Sequence, residues 1–192
     1  MVRITISGLP GSGTTTACKA IQARLGIEYA YAGEIFRLLA KEHNMSLNEF
    51  GRYCEENPEV DKRLDDRQVE LLHKDRILLE GRLSGWLADQ HNIPALKVWL
   101  DADVDVRAAR IVNREDGDHE AKKAEMLERE FSENRRYRAF YGVDLENRGW
   151  YDLVVETDHL TPEEVVEGIL EALQALLDEQ EDWEVPHAQE RP

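Results

Sequence analysis

The stretch of this sequence best suited to chemistry is Gly8-Leu9-Pro10-Gly11-Ser12-Gly13-Thr14-Thr15-Thr16. Glycines at this spacing let backbone N–H groups turn toward phosphate oxygens, and a helix starting directly afterwards adds positive potential from its N-terminus. The frame of a nucleotide-phosphate loop, G-x-x-x-x-G-K-[ST], is met at Gly8, at Gly13 and at Thr15, whose hydroxyl suits Mg²⁺. Thr14 stands where that frame has lysine. The change deletes a full positive charge from the place where the β- and γ-phosphates are held. The loop alone leaves three readings open: a glycine-rich strand-to-helix turn with no ligand, a nucleotide binder without chemistry, and a phosphoryl-transfer site whose charge comes from elsewhere.

Phosphoryl transfer asks little covalent work of a protein; it needs positioning and charge compensation. Arginines are therefore the residues to follow. Arg37 lies just after Gly33 in a loop-to-helix transition, and Arg82 follows Gly81 directly after a strand, at the carboxyl edge where α/β ligands bind. Arg107, Arg110 and Arg114 open a charged segment, and Arg129, Arg135, Arg136 and Arg138 continue it. A helical arginine is ordinarily a solvated surface residue, and that reading is taken for Arg107, Arg135 and Arg138. Glu80, at the end of a strand, suits Mg²⁺ through water, with a solvated strand-end glutamate as the plainer reading.

The elements that must position these groups are legible from patterning. Val2–Ser7, Ile27–Tyr31, Arg76–Glu80, Leu96–Leu100 and Asp152–Glu156 read as short strands, the inner ones apolar enough to be buried on both faces. Helical patterns cover Thr15–Leu25, residues 33–73 with breaks near Asn44–Ser46 and Asn57–Pro58, Asp103–Glu115, Glu120–Tyr141 and Thr161–Leu177. Ser46 with Glu49 forms a capping box, and Pro58 suits a first helical turn. Strand–helix alternation predicts an α/β domain with a mostly parallel sheet and helices on both faces. Two stretches are too long for simple crossovers and read as insertions. The resulting division is a CORE of 1–32, 75–112 and 142–178, a first insertion at 33–74, a lid at 113–141 and an acidic, fraying tail at 179–192.

Composition bounds the rest. The chain has 192 residues, with 40 acidic against 24 basic side chains and a net charge of −16. That field repels phosphate polymers and anionic membranes, so nucleic-acid and membrane partners are not expected, and any phosphate must be captured by a local positive cluster. No apolar run is long enough to cross a bilayer, and no secretory signal is expected at the N-terminus. Cys18 and Cys54 lack metal spacing and read as reduced thiols, and the six scattered histidines exclude a zinc site. Trp86, Trp99, Trp150 and Trp183 read as packing residues.

The segments ISGLPGSGTTT, YAGEIFR, LLEGRLSGW, DVRAARIVNRE, EREFSENRRY, FYGVD and YDLVVET together resemble the cytidylate kinase family in its archaeal branch, through about Thr157. That branch commonly carries threonine at the loop's lysine position. The resemblance implies a P-loop nucleoside monophosphate kinase fold with a five-stranded parallel sheet, an NMP-binding insertion and a lid. It also implies transfer of the γ-phosphoryl group of ATP to CMP or dCMP with Mg²⁺, in a cytoplasmic monomer. Carried over residue by residue, Gly8 through Thr16 hold ATP, and Arg110 and Arg114 close on the donor. Gly33, Arg37 and Arg82 hold the acceptor phosphate, Arg67 reads the cytosine edge, and Arg129, Glu133 and Arg136 reach ribose and phosphate. Thr15 and Glu80 serve Mg²⁺. Bacterial relatives have aspartate after the equivalent of Arg82, where this chain has Leu83, leaving Ser84 or the insertion to discriminate the base. The alternatives are a kinase for UMP, AMP or another phosphate acceptor, and a sensor that binds nucleotide without turnover.

Overall fold

Strands and helices alternate along residues 1–184, the part of the chain that this computed structural model describes. The order is β1 (Val2–Gly8), α1 (Thr14–Leu25), β2 (Glu28–Tyr31), α2 (Ala32–Glu42), α3 (Leu47–Glu56), α4 (Pro58–Leu72), β3 (Arg76–Glu80), α5 (Ser84–Gln90), β4 (Leu96–Asp101), α6 (Val104–Glu115), α7 (His119–Tyr141), β5 (Leu153–Glu156) and α8 (Pro162–Glu184). The strands form one sheet in the order β2-β3-β1-β4-β5, every neighbouring pair parallel. β1 is central: Ile4 lies opposite Leu78 on one side and Leu96 on the other. The connection leaving its carboxyl end runs toward the β2 edge, while the one leaving its neighbour β3 runs the other way to β4, and such a reversal is the position at which open α/β sheets bind ligands.

Alternation along the strands divides the core. Ile4, Ile6, Leu78, Val98 and Leu100 pack against α1 and α8 through Ala17, Ile21, Val166 and Ile169. Leu79 and Trp99 face the other way, toward Leu83, Leu87 and Ala88 around α5, with Leu72 of α4. Trp99 is fully buried, and Trp86 and Trp150 pack on the same cluster, as expected of them. Both cysteines are free and buried. Burial pushes the Cys54 thiol up to about 12, which keeps it protonated.

Residues 32–72 fold as three helices around Phe50, Cys54 and Ala40. The capping box forms as expected: Ser46 Oγ accepts from the Glu49 amide at 3.2 Å and Glu49 returns the bond to the Ser46 amide at 2.8 Å. Pro58 occupies the first turn of α4. A row of polar contacts ties this unit to α7. Glu128 accepts from Asn48 and Arg52, Glu55 accepts from Ser132 and pairs with Arg135, and Asp61 accepts from Arg136 Nε at 2.6 Å. The Tyr141 hydroxyl donates to Asp65 at 2.6 Å.

Two elements depart from the sequence expectation. α5 was not anticipated: it has seven residues, opens with Ser84-Gly85, and no side chain caps its start, so neither periodicity nor a cap announces it. α8 runs past Leu177 to Glu184, because Asp178 through Glu184 contain neither glycine nor proline to stop it. The fraying expected of the last residues and the packing expected of Trp183 fall outside the described residues and side chains.

Asp65 gives the fold a measurable pH signature. Burial raises its carboxyl pKa to about 7, against the opposing hydrogen bond from Tyr141. A group whose folded pKa lies above its unfolded value favours the folded state at low pH, and the advantage is lost as pH rises through the folded pKa. Asp65→Asn, which carries no titratable group, is therefore expected to gain stability relative to the natural protein between about pH 4 and pH 8, on the order of 4 kcal/mol. Urea unfolding of both proteins across that range checks this; a difference that stays constant with pH contradicts it.

Candidate active site

The loop after β1 takes its shape from side chains that hold its carbonyl groups. Arg82 NH1 donates to the Gly8 carbonyl at 2.7 Å, Arg107 NH1 to Pro10 at 3.1 Å, and Arg110 NH1 to Gly11 at 3.4 Å. Thr157 Oγ1 donates to the Ser12 carbonyl at 3.2 Å. In a trans peptide the following N–H points the opposite way. The amides of Leu9, Gly11 and Gly13 are thus turned away from these partners, while the Ser12 amide closes a turn on Leu9. Gly11 sits at φ +84°, and a Cβ there would come within 2.5 Å of the Arg107 carbonyl, so only glycine fits.

Arg107 corrects the sequence reading. It is 5% exposed rather than solvated, bonded to the Ala102 and Pro10 carbonyls and paired with Glu130 of α7. Arg135 and Arg138 are exposed surface residues, as expected, paired with Glu55 and Asp144.

Glu80 is not a solvated strand-end group: it is 3% exposed and lies beneath the loop. Thr14 Oγ1 and Thr15 Oγ1 each donate to its Oε1 at 2.7 Å, and the Tyr29 hydroxyl donates to Oε2. The neighbouring Cys18 thiol is pushed well above its ordinary pKa, by burial first and by the Glu80 charge second. The threonine that replaces lysine is thus anchored downward to a carboxylate.

Two cavities meet above the loop. The first, of about 500 Å³, is lined by the loop from Pro10 to Thr16 together with Arg37, Arg110, Arg114 and the apolar Leu160, Pro162 and Val165. The second is lined by Gly33, Phe36, Asp61, Leu64, Asp65, Gln68, Glu133, Arg136 and Tyr137. Thr14, Tyr31, Arg82 and Arg129 line both.

Charge at the junction is organised by Glu133, which accepts from Arg82 Nε at 2.7 Å and Arg129 Nε at 3.0 Å. Burial acts to raise its pKa, but the two arginines outweigh that and hold the carboxyl down at about 2. It stays ionised and fixes both guanidinium groups. Arg136, buried on the wall of the second cavity, bonds Asp61, the Gly51 carbonyl and Ser132.

The structure therefore brings together Arg82, Arg129, Glu133 and Arg136, and sets Arg110 and Arg114 on the first cavity. Arg114 is exposed and tied to its neighbour Glu115. Arg37 lies over the Tyr31 ring at 5.2 Å and lines the first cavity, not the second. The Leu9 side chain turns away and packs in the core around α5. Arg67 lies on the solvent face of α4, 59% exposed and paired with Glu70, on neither cavity. Ser84 is likewise absent from both linings; its hydroxyl donates to the Gly81 carbonyl at 3.0 Å. Sequence reading missed Tyr31, Asp61, Asp65, Gln68 and Thr157. The spacing of 61, 65 and 68, a polar stripe at helical period, was the available signal for three of them.

Oxygen donors suited to a hard cation are present at the loop: the Thr15 hydroxyl and, beside it, the Glu80 carboxylate. Among the described residues no group of three or more His, Cys, Asp or Glu is placed to cage a metal. Among the same residues no helix is long and apolar enough to cross a membrane.

A family model described as the cytidylate kinase-like family matches residues 3–159. The chain is 42% identical over 175 residues to the cytidylate kinase of Pyrococcus abyssi, covering 91% of this chain and 93% of that protein. It is 44% identical over 174 residues to the cytidylate kinase of Archaeoglobus fulgidus, covering 90% and 95%. A solved gluconokinase from Sinorhizobium meliloti 1021 superposes with a TM-score of 0.59 at 14% identity, covering 95% of this chain and 97% of that one, which shows a shared fold. With a phosphate loop closing one cavity and a cluster of fixed arginines joining it to a second, the chain belongs to the cytidylate kinase-like family.

Proposed function

We propose that this protein transfers the γ-phosphoryl group of ATP to CMP or dCMP, giving ADP and the nucleoside diphosphate. The observation that carries this reading is the junction: two cavities, one walled by the phosphate loop and one by the insertion, share Arg82 and Arg129. A binder of one nucleotide has no need of a second cavity, nor of guanidinium groups fixed where the two meet. ATP is assigned to the first cavity, its phosphates on the loop and its base toward Leu160, Pro162 and Val165. The acceptor occupies the second, its phosphate toward Arg82 and Arg129.

No general base is required. The second pKa of the acceptor phosphate is about 6, so at pH 7 it is mostly a dianion ready to attack. The barrier is the approach of two polyanions. Arg82 and Arg129, held by Glu133, present charge at that point without reorganising, and Arg136 lines the acceptor wall. The loop amides receive the donor phosphates. Thr15 and Glu80 would hold Mg²⁺, which would supply charge neutralisation for the phosphates when bound. The insertion is placed at 33–74 and the lid at 113–141. The exposed Arg114 is the lid residue free to turn onto the donor, and closure excludes water that would otherwise hydrolyse ATP. Two free buried thiols accord with a reducing cytoplasm.

An ADP-release assay across CMP, dCMP, UMP and AMP is expected to show turnover strongest with the cytidine nucleotides. Nucleotide binding with no turnover on any acceptor contradicts the proposal. Arg82→Ala is expected to lower kcat/KM by roughly 10³ or more. It leaves buried Glu133 with one partner fewer, so adding Glu133→Gln should restore melting temperature without restoring activity. Recovery of activity in the double variant would remove Arg82 from the reaction.

Glu80→Gln keeps size but removes the charge beside Thr15. The free Mg²⁺ needed for half-maximal rate should rise roughly tenfold or more. An unchanged Mg²⁺ dependence would assign Glu80 to holding the two threonines alone.

A further inference from the structure

The second cavity contains a buried polar group for which phosphate chemistry has no use. Gln68 is 4% exposed; its Nε2 donates to Asp65 Oδ1 at 2.8 Å, while Oε1 has no hydrogen-bond partner. The Tyr141 hydroxyl holds the other Asp65 oxygen. With the ionised Asp65 carboxylate accepting from Nε2, turning the amide end over end would set oxygen against oxygen, so the atom left without a partner is the acceptor. Gln68 Oε1 lies beside Gly81, where a Cβ would come within 2.5 Å of it; glycine at 81 leaves the room that the amide occupies. A buried acceptor without a donor is costly, and in a binding cavity a ligand can supply that donor.

The lining indicates which part of the ligand this is. Arg82 and Arg129 stand at the junction, whereas Gln68, Leu64, Phe36 and Tyr137 line the second cavity and not the first, offering flat and apolar walls to a planar ring. Resting on the assignment of this cavity to the acceptor nucleotide, we propose that Gln68 reads the 4-amino group of the pyrimidine, accepting its hydrogen bond at Oε1, with Asp65 and Tyr141 as positioning residues. Cytosine presents a donor at that atom. Uracil presents a carbonyl, which would set two acceptors face to face and leave both desolvated and unpaired. Gln68 thus takes the role expected of Arg67, one residue earlier on α4 and turned to solvent.

The test is steady-state kinetics at saturating Mg·ATP with CMP and UMP as acceptors, on the full chain and on Gln68→Met and Asp65→Asn. Gln68→Met has similar length and no carbonyl acceptor. It should lower the CMP to UMP ratio of kcat/KM about tenfold or more, mainly through KM for CMP, with UMP changed by less than about threefold. Asp65→Asn can donate to Gln68, lets the amide turn, and should lower the same ratio. Equal losses on both acceptors, or an unchanged ratio in folded Gln68→Met, overturn the proposal. Should circular dichroism show Gln68→Met unfolded, Asp65→Asn decides by the same rule. A natural chain idle on every nucleoside monophosphate would defeat the kinase reading separately. Calorimetric titration with CMP and UMP then still reads the discrimination, and equal affinities would overturn this inference too.

Discussion

The site depends on one mechanical fact: the carbonyl groups of the phosphate loop are occupied from behind. Arg82 after β3, Arg107 and Arg110 on α6, and Thr157 after β5 each take a different carbonyl between Gly8 and Ser12. A glycine-rich segment left to itself samples many conformations. Here its dipoles are oriented by groups that arrive from two crossover connections and from the segment after the last strand, so the loop cannot hold its shape unless the sheet is assembled. This is why a chain without the loop lysine still presents a defined surface to phosphate. Thr14, bonded to Glu80, adds to the fastening below where lysine would have added charge above.

Charge compensation is local in a molecule of net −16. The carboxylates around the cavities are partners rather than competitors: Glu133 fixes Arg82 and Arg129, Asp61 fixes Arg136, and Glu130 fixes Arg107. Removing either member of such a buried pair leaves an uncompensated charge, so these pairs are strict about composition even where their net contribution to stability is small. Preorganisation is what they supply. The guanidinium groups are already in place before two anionic nucleotides are brought together.

Much of this was legible beforehand. The strand positions, the loop, the capping box at Ser46–Glu49 and the break at Pro58 follow from local rules, which act within a few residues and do not require knowledge of the fold. Arg82 was identifiable because it follows Gly81 at a strand end. The errors at Arg107 and Arg67 share a cause: they concern which way a helical side chain turns. Arg107 looks like any charged residue of an amphipathic helix, and only tertiary packing buries it. Arg67 and Gln68 differ by one position, about 100° around α4, and the charged member drew attention while the neutral one faces the cavity. α5, too short to show a period, had no local signal at all.

The polar row between the helices of 32–72 and α7 has a hereditary consequence. Glu128 serves Asn48 and Arg52, and Glu55 serves Ser132 and Arg135, so each carboxylate answers to two partners across more than seventy positions of chain. Drift on one side strands a partner on the other. The exposed pairs tolerate such drift, but Arg136 and Asp61 are both buried, so a chimera that imports one of them from a distant relative must import its counterpart as well.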